Sequence, residues 1–174
     1  MRENLIKKFG DNFRQNVNLS NYSWFNLGGP AEYFFKPKDK NQLREFLVEA
    51  KKNNLKTTIL GAGSNTLIRD NGVKGVVIKL GSSFSFVKMI DKNTIETGAA
   101  TLDRKVANFA KENNIGNLEF LSCIPGSIGG AVIMNSGCYK NDISKILLSI
   151  NVIDIKDCME KEIKYEDIKF LYRG

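Results

Sequence analysis

Apolar positions along the chain recur at two spacings, and the switch between them marks its elements. Leu43, Phe46, Leu47 and Ala50 fall on one face at helical spacing. Asp39 stands before them as an N-cap carboxylate, with Gln42 three residues on, the mark of a helix start. The stripe reads as core, and Asn53-Asn54 closes the helix. Short runs of β-branched and aromatic residues, at Ala31 to Phe35, Lys56 to Leu60 and Gly75 to Leu80, read as strands. Asn26-Leu27-Gly28-Gly29-Pro30 is a turn signal ahead of the first. Strand, helix, strand, loop, strand predicts a small α/β unit, preceded by a polar lead-in from Met1 to Leu19 with helical tendency.

A second unit follows with less parallel character. Ser85 to Ile90 and Thr94 to Thr97 predict a hairpin around Asp91-Lys92-Asn93. A helix comes next, capped by Thr101, with Leu102, Val106, Phe109 and Ala110 inward. Leu147 to Ile155 and Glu160 to Tyr165 predict two strands joined at Lys156-Asp157.

Two stretches interrupt this pattern by their lack of bulk. The first is Leu60-Gly61-Ala62-Gly63-Ser64-Asn65-Thr66-Leu67, directly after the apolar run Thr57-Thr58-Ile59. Gly61 and Gly63 can take positive φ and expose their N–H groups to a bulky neighbour. Successive amides in such a turn form a concave nest that suits a phosphate. Ser64 and Asn65 add a hydroxyl and an amide. The plain alternative is a glycine-rich turn with no ligand. The loop is no Walker loop, since no Gly-Lys-Ser/Thr follows. It also lacks the third glycine of the Rossmann fingerprint, and Asp70-Asn71-Gly72 is another turn signal.

The second stretch runs from Leu118 to Tyr139 and sets Pro125 and the glycines 126, 129, 130 and 137 among aliphatics. Glycines in such a segment cost stability unless something flat, a ligand or another backbone, must come close. A tight loop within the core is the remaining reading.

Composition narrows the function classes. The 174 residues suffice for one domain or two small ones, and 42% hydrophobic with 26% charged residues is a globular balance. The net charge of +7 comes from scattered lysines and arginines. It favours anionic ligands, and the absence of a basic stripe argues against nucleic acid as the partner. No apolar stretch is long enough to cross a bilayer, and the start lacks a signal region, so a cytoplasmic location is expected. Cys123, Cys138 and Cys158 form no Cys-x-x-Cys pair and predict reduced, structural thiols rather than disulfides or a zinc site. The chain has no histidine. That removes Ser-His and Cys-His catalysis, histidine ligation of a metal and histidyl attachment of a cofactor.

As a set, four stretches resemble the UDP-N-acetylenolpyruvoylglucosamine reductases, flavoenzymes of peptidoglycan precursor synthesis. They are Asn26-Leu-Gly-Gly-Pro-Ala-Glu-Tyr33, Leu60 to Asp70 with Gly72 and Gly75, Leu118 to Tyr139, and Phe170-Leu-Tyr-Arg173. The resemblance implies an α+β fold of two subdomains holding non-covalent FAD between them, of the vanillyl-alcohol oxidase type. Residues 1–21 would be a lead-in, 22–82 the first FAD-binding subdomain and 83–174 the second. By the same resemblance, Gly61, Ala62, Gly63, Ser64, Asn65, Thr66 and Leu67 would wrap the FAD pyrophosphate. Ile124, Pro125, Gly126, Ser127, Gly129, Gly130 and Ala131, with Asn135 and Gly137, would line pyrophosphate and flavin.

Tyr172 and Arg173 would meet the substrate, the Arg173 guanidinium holding the enolpyruvyl carboxylate and stabilising charge after hydride attack. NADPH would be the co-substrate and a UDP-sugar the substrate of a monomeric enzyme. The family's proton-donor serine and assisting glutamate lie in a substrate domain that nothing here matches, so the sequence reads as a partial chain, inactive by itself. Lys140 also stands where the family often has glycine, and Cys123 and Cys138 replace small residues. The alternatives are an FAD-binding module without turnover and another FAD oxidoreductase of the same fold.

Overall fold

Tyr33-Phe34-Phe35 and Val76-Val77-Ile78 are buried without a break, so both faces of the strands that carry them must be covered. The computed structural model describes residues 2–170, in two units, Met1–Ser83 and Phe84–Gly174. The first unit comprises α1 (Arg2–Phe9), β1 (Phe13–Asn18), β2 (Pro30–Phe35), α2 (Lys40–Lys52), β3 (Thr57–Ile59) and β4 (Val73–Ile78). Its sheet has the order β1-β2-β4-β3. β1 is antiparallel to β2, whereas β2, β4 and β3 run parallel.

One face of this sheet meets the helices. Phe35 stacks on Phe46 of α2 at 4.2 Å between ring centroids, and Phe9 of α1 packs edge-on against both at 5.3 and 5.6 Å. Phe13 stacks on Tyr33 at 5.3 Å. The opposite face carries Phe34 and Val77, which pack with Leu19, Ala31, Leu60 and Ile68. The covering on that side is chain without regular structure, namely the connection from β3 to β4 and the turn at residues 19–22.

The α2 start follows its sequence. Asp39 accepts from the Gln42 amide at 2.8 Å, and the Gln42 side chain accepts from the Lys38 amide at 2.8 Å. Leu43, Phe46, Leu47 and Ala50 are its buried face. The lead-in, in contrast, is more than helical. Phe13–Asn18 pairs with β2 as an edge strand, its exposed polar residues hiding the strand pattern from a reading by periodicity.

The second unit carries the hairpin β5 (Val87–Met89) and β6 (Ile95–Thr97), α3 (Asp103–Glu112), α4 (Ile128–Ile133), a two-residue pair β7 (Gly137–Cys138) and β8 (Asn141–Asp142), and the hairpin β9 (Ser149–Ile153) and β10 (Glu160–Lys164). Val106, Ala107 and Ala110 of α3 pack with Leu118, Phe120, Leu121, Ala131 and Ile143. The α3 register differs from the expected one. Thr101 does not cap, because its hydroxyl donates to the Phe86 carbonyl at 2.9 Å. The helix begins after Leu102 instead, which is 54% exposed, and Asp103 turns inward in its place.

Phe46 is fully buried among three other rings. Phe46→Ala is expected to cost about 3–5 kcal/mol, read as a lowered denaturation midpoint in urea at unchanged slope.

Candidate functional site

The β3–β4 connection joins parallel neighbours and so must travel back along the sheet. It leaves β3 through Leu60, whose amide donates to the Ile78 carbonyl at 2.9 Å. At Gly63 the chain turns with φ of 76° and lies flat against the turn before β2. A Cβ at Gly63 would sit 2.0 Å from the Tyr22 carbonyl oxygen. The Trp24 amide donates to the Gly63 carbonyl at 3.1 Å, and the Ser23 hydroxyl reaches the Thr66 carbonyl at 3.4 Å. The loop is therefore fixed through its carbonyls. Its amides are left over: among the described residues none from Gly61 through Asn65 donates to a protein acceptor. Gly63 is buried, Ala62 and Ser64 are half-buried, and Gly61 and Asn65 are exposed, so these donors are open to water or to an incoming group, and such a row has the chemistry that suits an anion.

Two features border this row. Trp24, Phe25, Leu27 and Leu67 are 62%, 55%, 57% and 72% exposed, an apolar rim beside the loop. Lys79, directly after β4, donates its ammonium to the Gly61 carbonyl at 2.5 Å and lies 5.9 Å from the centre of the Tyr22 ring. Burial, with Lys36 nearby, lowers the Lys79 pKa. Neither lysine drew attention in the sequence, although each directly follows a buried run, where the carboxyl end of a strand is expected.

The second glycine-rich stretch behaves differently. The Ile128 and Gly129 amides donate to the Thr101 and Ala99 carbonyls, both at 2.9 Å. A Cβ at Gly129 would meet Ala99 at 3.1 Å, and one at Gly126 would fall 2.6 Å from an Asp103 carboxylate oxygen. Between a flat ligand and another protein group, the close approach at these two positions is made by the protein. The Asn135 side chain accepts from the Ser144 amide at 2.9 Å, and Gly137 pairs with Asp142. Ala131 is buried in the core, and Ile124 packs on it. Pro125 is exposed. The amides of Gly126, Ser127 and Gly130 are without a protein acceptor among the described residues. Tyr172 and Arg173 lie outside the described residues.

Asp103 is completely buried, and neither carboxylate oxygen has a hydrogen-bond partner among the described residues. Burial pushes its pKa up from 3.8 to about 7. The alternation of apolar positions gave no hint of it, because a carboxylate is the residue type least expected on a core face.

The profile of the FAD binding domain family matches residues 31–159. A UDP-N-acetylenolpyruvoylglucosamine reductase of Orientia tsutsugamushi (strain Ikeda) is 43% identical over 171 residues, which cover 97% of this chain and 56% of that protein. The chain thus spans about half the length of the curated relatives it matches. The crystal structure of the corresponding reductase from Thermus caldophilus superposes with a TM-score of 0.77 at 29% identity, over 92% of this chain and 56% of that one. An alkyldihydroxyacetonephosphate synthase shares the fold, with a TM-score of 0.66 at 12% identity over 97% of this chain and 34% of that one.

The Asp103 carboxyl carries a pH signature. Between 3.8 and about 7 the unfolded chain ionises this group while the folded chain keeps its proton. Stability from this residue is therefore whole at acid pH, falls as pH rises through that window and is level above it. Asp103→Asn removes the slope. The difference in melting temperature between variant and native chain is expected to move in favour of the variant as pH is raised across the window, and to stay constant beyond it.

Proposed function

The chain belongs to the FAD binding domain family, and on that premise we propose that it is the FAD-holding part of a UDP-N-acetylenolpyruvoylglucosamine reductase. Its fold is the α+β FAD-binding fold of the vanillyl-alcohol oxidase type. The reaction is the NADPH-dependent reduction of UDP-N-acetylglucosamine enolpyruvate to UDP-N-acetylmuramate, in the cytoplasm, on a small-molecule UDP-sugar, by a monomer with neither nucleic acid nor membrane as partner. No helix among the described residues is long and apolar enough to cross a membrane.

The observation that carries this reading is the row of unpartnered amides from Gly61 through Asn65, in a chain 43% identical to such a reductase along 97% of its length. FAD has a pyrophosphate, and the loop offers what a pyrophosphate needs: unpartnered N–H donors, the Ser64 hydroxyl and small residues that let the phosphates approach. Bound FAD supplies the hydride carrier between nicotinamide and the enolpyruvyl double bond. The protein's share is to bind and orient. Ala62, Thr66 and Leu67 extend the pyrophosphate loop. The stretch from Ile124 to Ala131, with the free amides of Gly126, Ser127 and Gly130, lines the pyrophosphate and flavin together with Asn135 and Gly137. Tyr172 and Arg173 meet the substrate, and the Arg173 guanidinium holds its enolpyruvyl carboxylate.

Titration of the chain with FAD is expected to quench flavin fluorescence and shift its visible bands. Gly63→Ala, which forces the loop off the Tyr22 carbonyl, is expected to weaken that binding at least tenfold, with both measured by isothermal calorimetry. A chain that takes up no flavin contradicts the reading. Assayed with NADPH and the UDP-sugar, these residues by themselves are expected to hold FAD without full turnover. Full turnover would refute their assignment as the FAD-holding part alone.

A further inference from the structure

We propose that Lys79, with Lys36 beside it, is the cationic wall of a diphosphate site whose floor is the Gly61–Asn65 amides. The proposal rests on the reading that this loop holds the FAD pyrophosphate, and it names the side chains that supply the charge.

The topology places them together. In open sheets with parallel strands, ligands gather outside the carboxyl ends. Lys36 directly follows β2, Lys79 directly follows β4, and Gly61 lies just past β3, three parallel neighbours of one sheet. The Lys79 ammonium touches the Gly61 carbonyl at 2.5 Å. It is thus at the entrance of the amide row rather than out in solvent. A third cation stands close: the Arg14 guanidinium, from β1, donates to the Tyr22 hydroxyl at 3.2 Å, and the Tyr22 ring is the one Lys79 lies over.

The counter-charge is what these groups lack. Among the described residues neither Lys36, Lys79 nor Arg14 forms an ion pair with a carboxylate. Lys79 loses affinity for its proton through burial first and through the Lys36 charge second, with no acidic group acting the other way. The groups facing it are the Tyr22 ring from the turn before β2, the Gly61 carbonyl from the β3–β4 loop, Lys36 from the end of β2, and Arg14 across Tyr22. Some exposed lysines elsewhere do meet acids, Lys8 with Glu45 and Glu49, and Lys161 with Asp154 and Asp157; what marks Lys79 is burial beside a second lysine. A half-buried ammonium with a second lysine for company and no acid in reach is costly by itself, and an incoming dianion relieves it.

A bound phosphate raises the pKa of the ammonium it meets. Affinity is therefore greatest where the free chain keeps Lys79 protonated and falls as pH rises through its lowered pKa.

The test titrates the 174-residue chain and its Lys79→Met, Lys79→Arg and Lys36→Met variants with inorganic pyrophosphate and, separately, with FAD, across neutral to alkaline pH and at several salt concentrations. Lys79→Met is expected to weaken pyrophosphate binding about tenfold or more at neutral pH, to remove the alkaline loss of FAD binding and to lower the salt slope. Lys36→Met is expected to weaken it less. Lys79→Arg, whose guanidinium stays charged, is expected to keep binding at alkaline pH where the native chain loses it. Pyrophosphate bound equally by a folded Lys79→Met, or not bound by the native chain, overturns the proposal. If Lys79→Met does not fold, an alkaline loss in Lys79→Arg matching that of the native chain overturns it as well. Failure of FAD alone, with pyrophosphate still bound through Lys79, overturns the flavin reading and supports the lysine assignment.

Discussion

One backbone contact sets the first unit's chemistry: Gly63 pressed beneath the Tyr22 carbonyl, at a distance no side chain permits. Around it the loop is held by its oxygens. Its Gly63 carbonyl accepts from Trp24, its Thr66 carbonyl from Ser23, and its Gly61 carbonyl from Lys79. Each of these bonds uses an acceptor and leaves the matching donor over. A peptide that has spent its carbonyls inward turns its N–H groups outward, and a row of outward N–H groups is a fixed positive potential. Such a potential suits a phosphate without a charged side chain in the loop, and the carboxyl ends of the parallel strands place Lys36 and Lys79 near its border.

The second unit uses glycine for the opposite purpose. Its glycines at 126 and 129 let the chain fold close on Asp103 and Ala99, and the amides of Ile128 and Gly129 are consumed in doing so. Space here serves packing of one segment on another, while the amides of Gly126, Ser127 and Gly130 have no protein acceptor among the described residues. Asp103 is a carboxyl whose pKa burial raises to about 7, buried, without a hydrogen-bond partner among the described residues and wedged where a side chain at position 126 would otherwise stand. Gly126 and Asp103 are thus two halves of one constraint, since neither tolerates bulk in the other.

Much of this was legible in the chain and some was not, for identifiable reasons. The α2 start was written in Asp39 and Gln42, and the local chemistry that predicts a cap is the chemistry that makes it. The glycine loop was equally local, since strand, Gly-Ala-Gly-Ser-Asn and a later turn are all contiguous. Thr101 misled because a distant partner, the Phe86 carbonyl, claimed its hydroxyl. The strand Phe13–Asn18 escaped because an edge strand with polar side chains has no period-two signal. Glycines at 126 and 129 offer room for a ligand or for the protein alike, and the tertiary contacts with Asp103 and Ala99 are what fill it. Lys79 was invisible because its meaning lies in β3 and β4 being neighbours, a fact of topology.

The account stands on the amides of Gly61 through Asn65 being donors to a bound pyrophosphate. Hydrogen exchange of those amides, followed residue by residue with and without FAD, tests it most directly. Free donors exchange quickly in the chain alone, and FAD should slow them markedly while leaving the Leu60 amide, already bonded to Ile78, unchanged. Exchange at Gly61 to Asn65 that is slow without FAD, or that stays fast in its presence, would contradict the account.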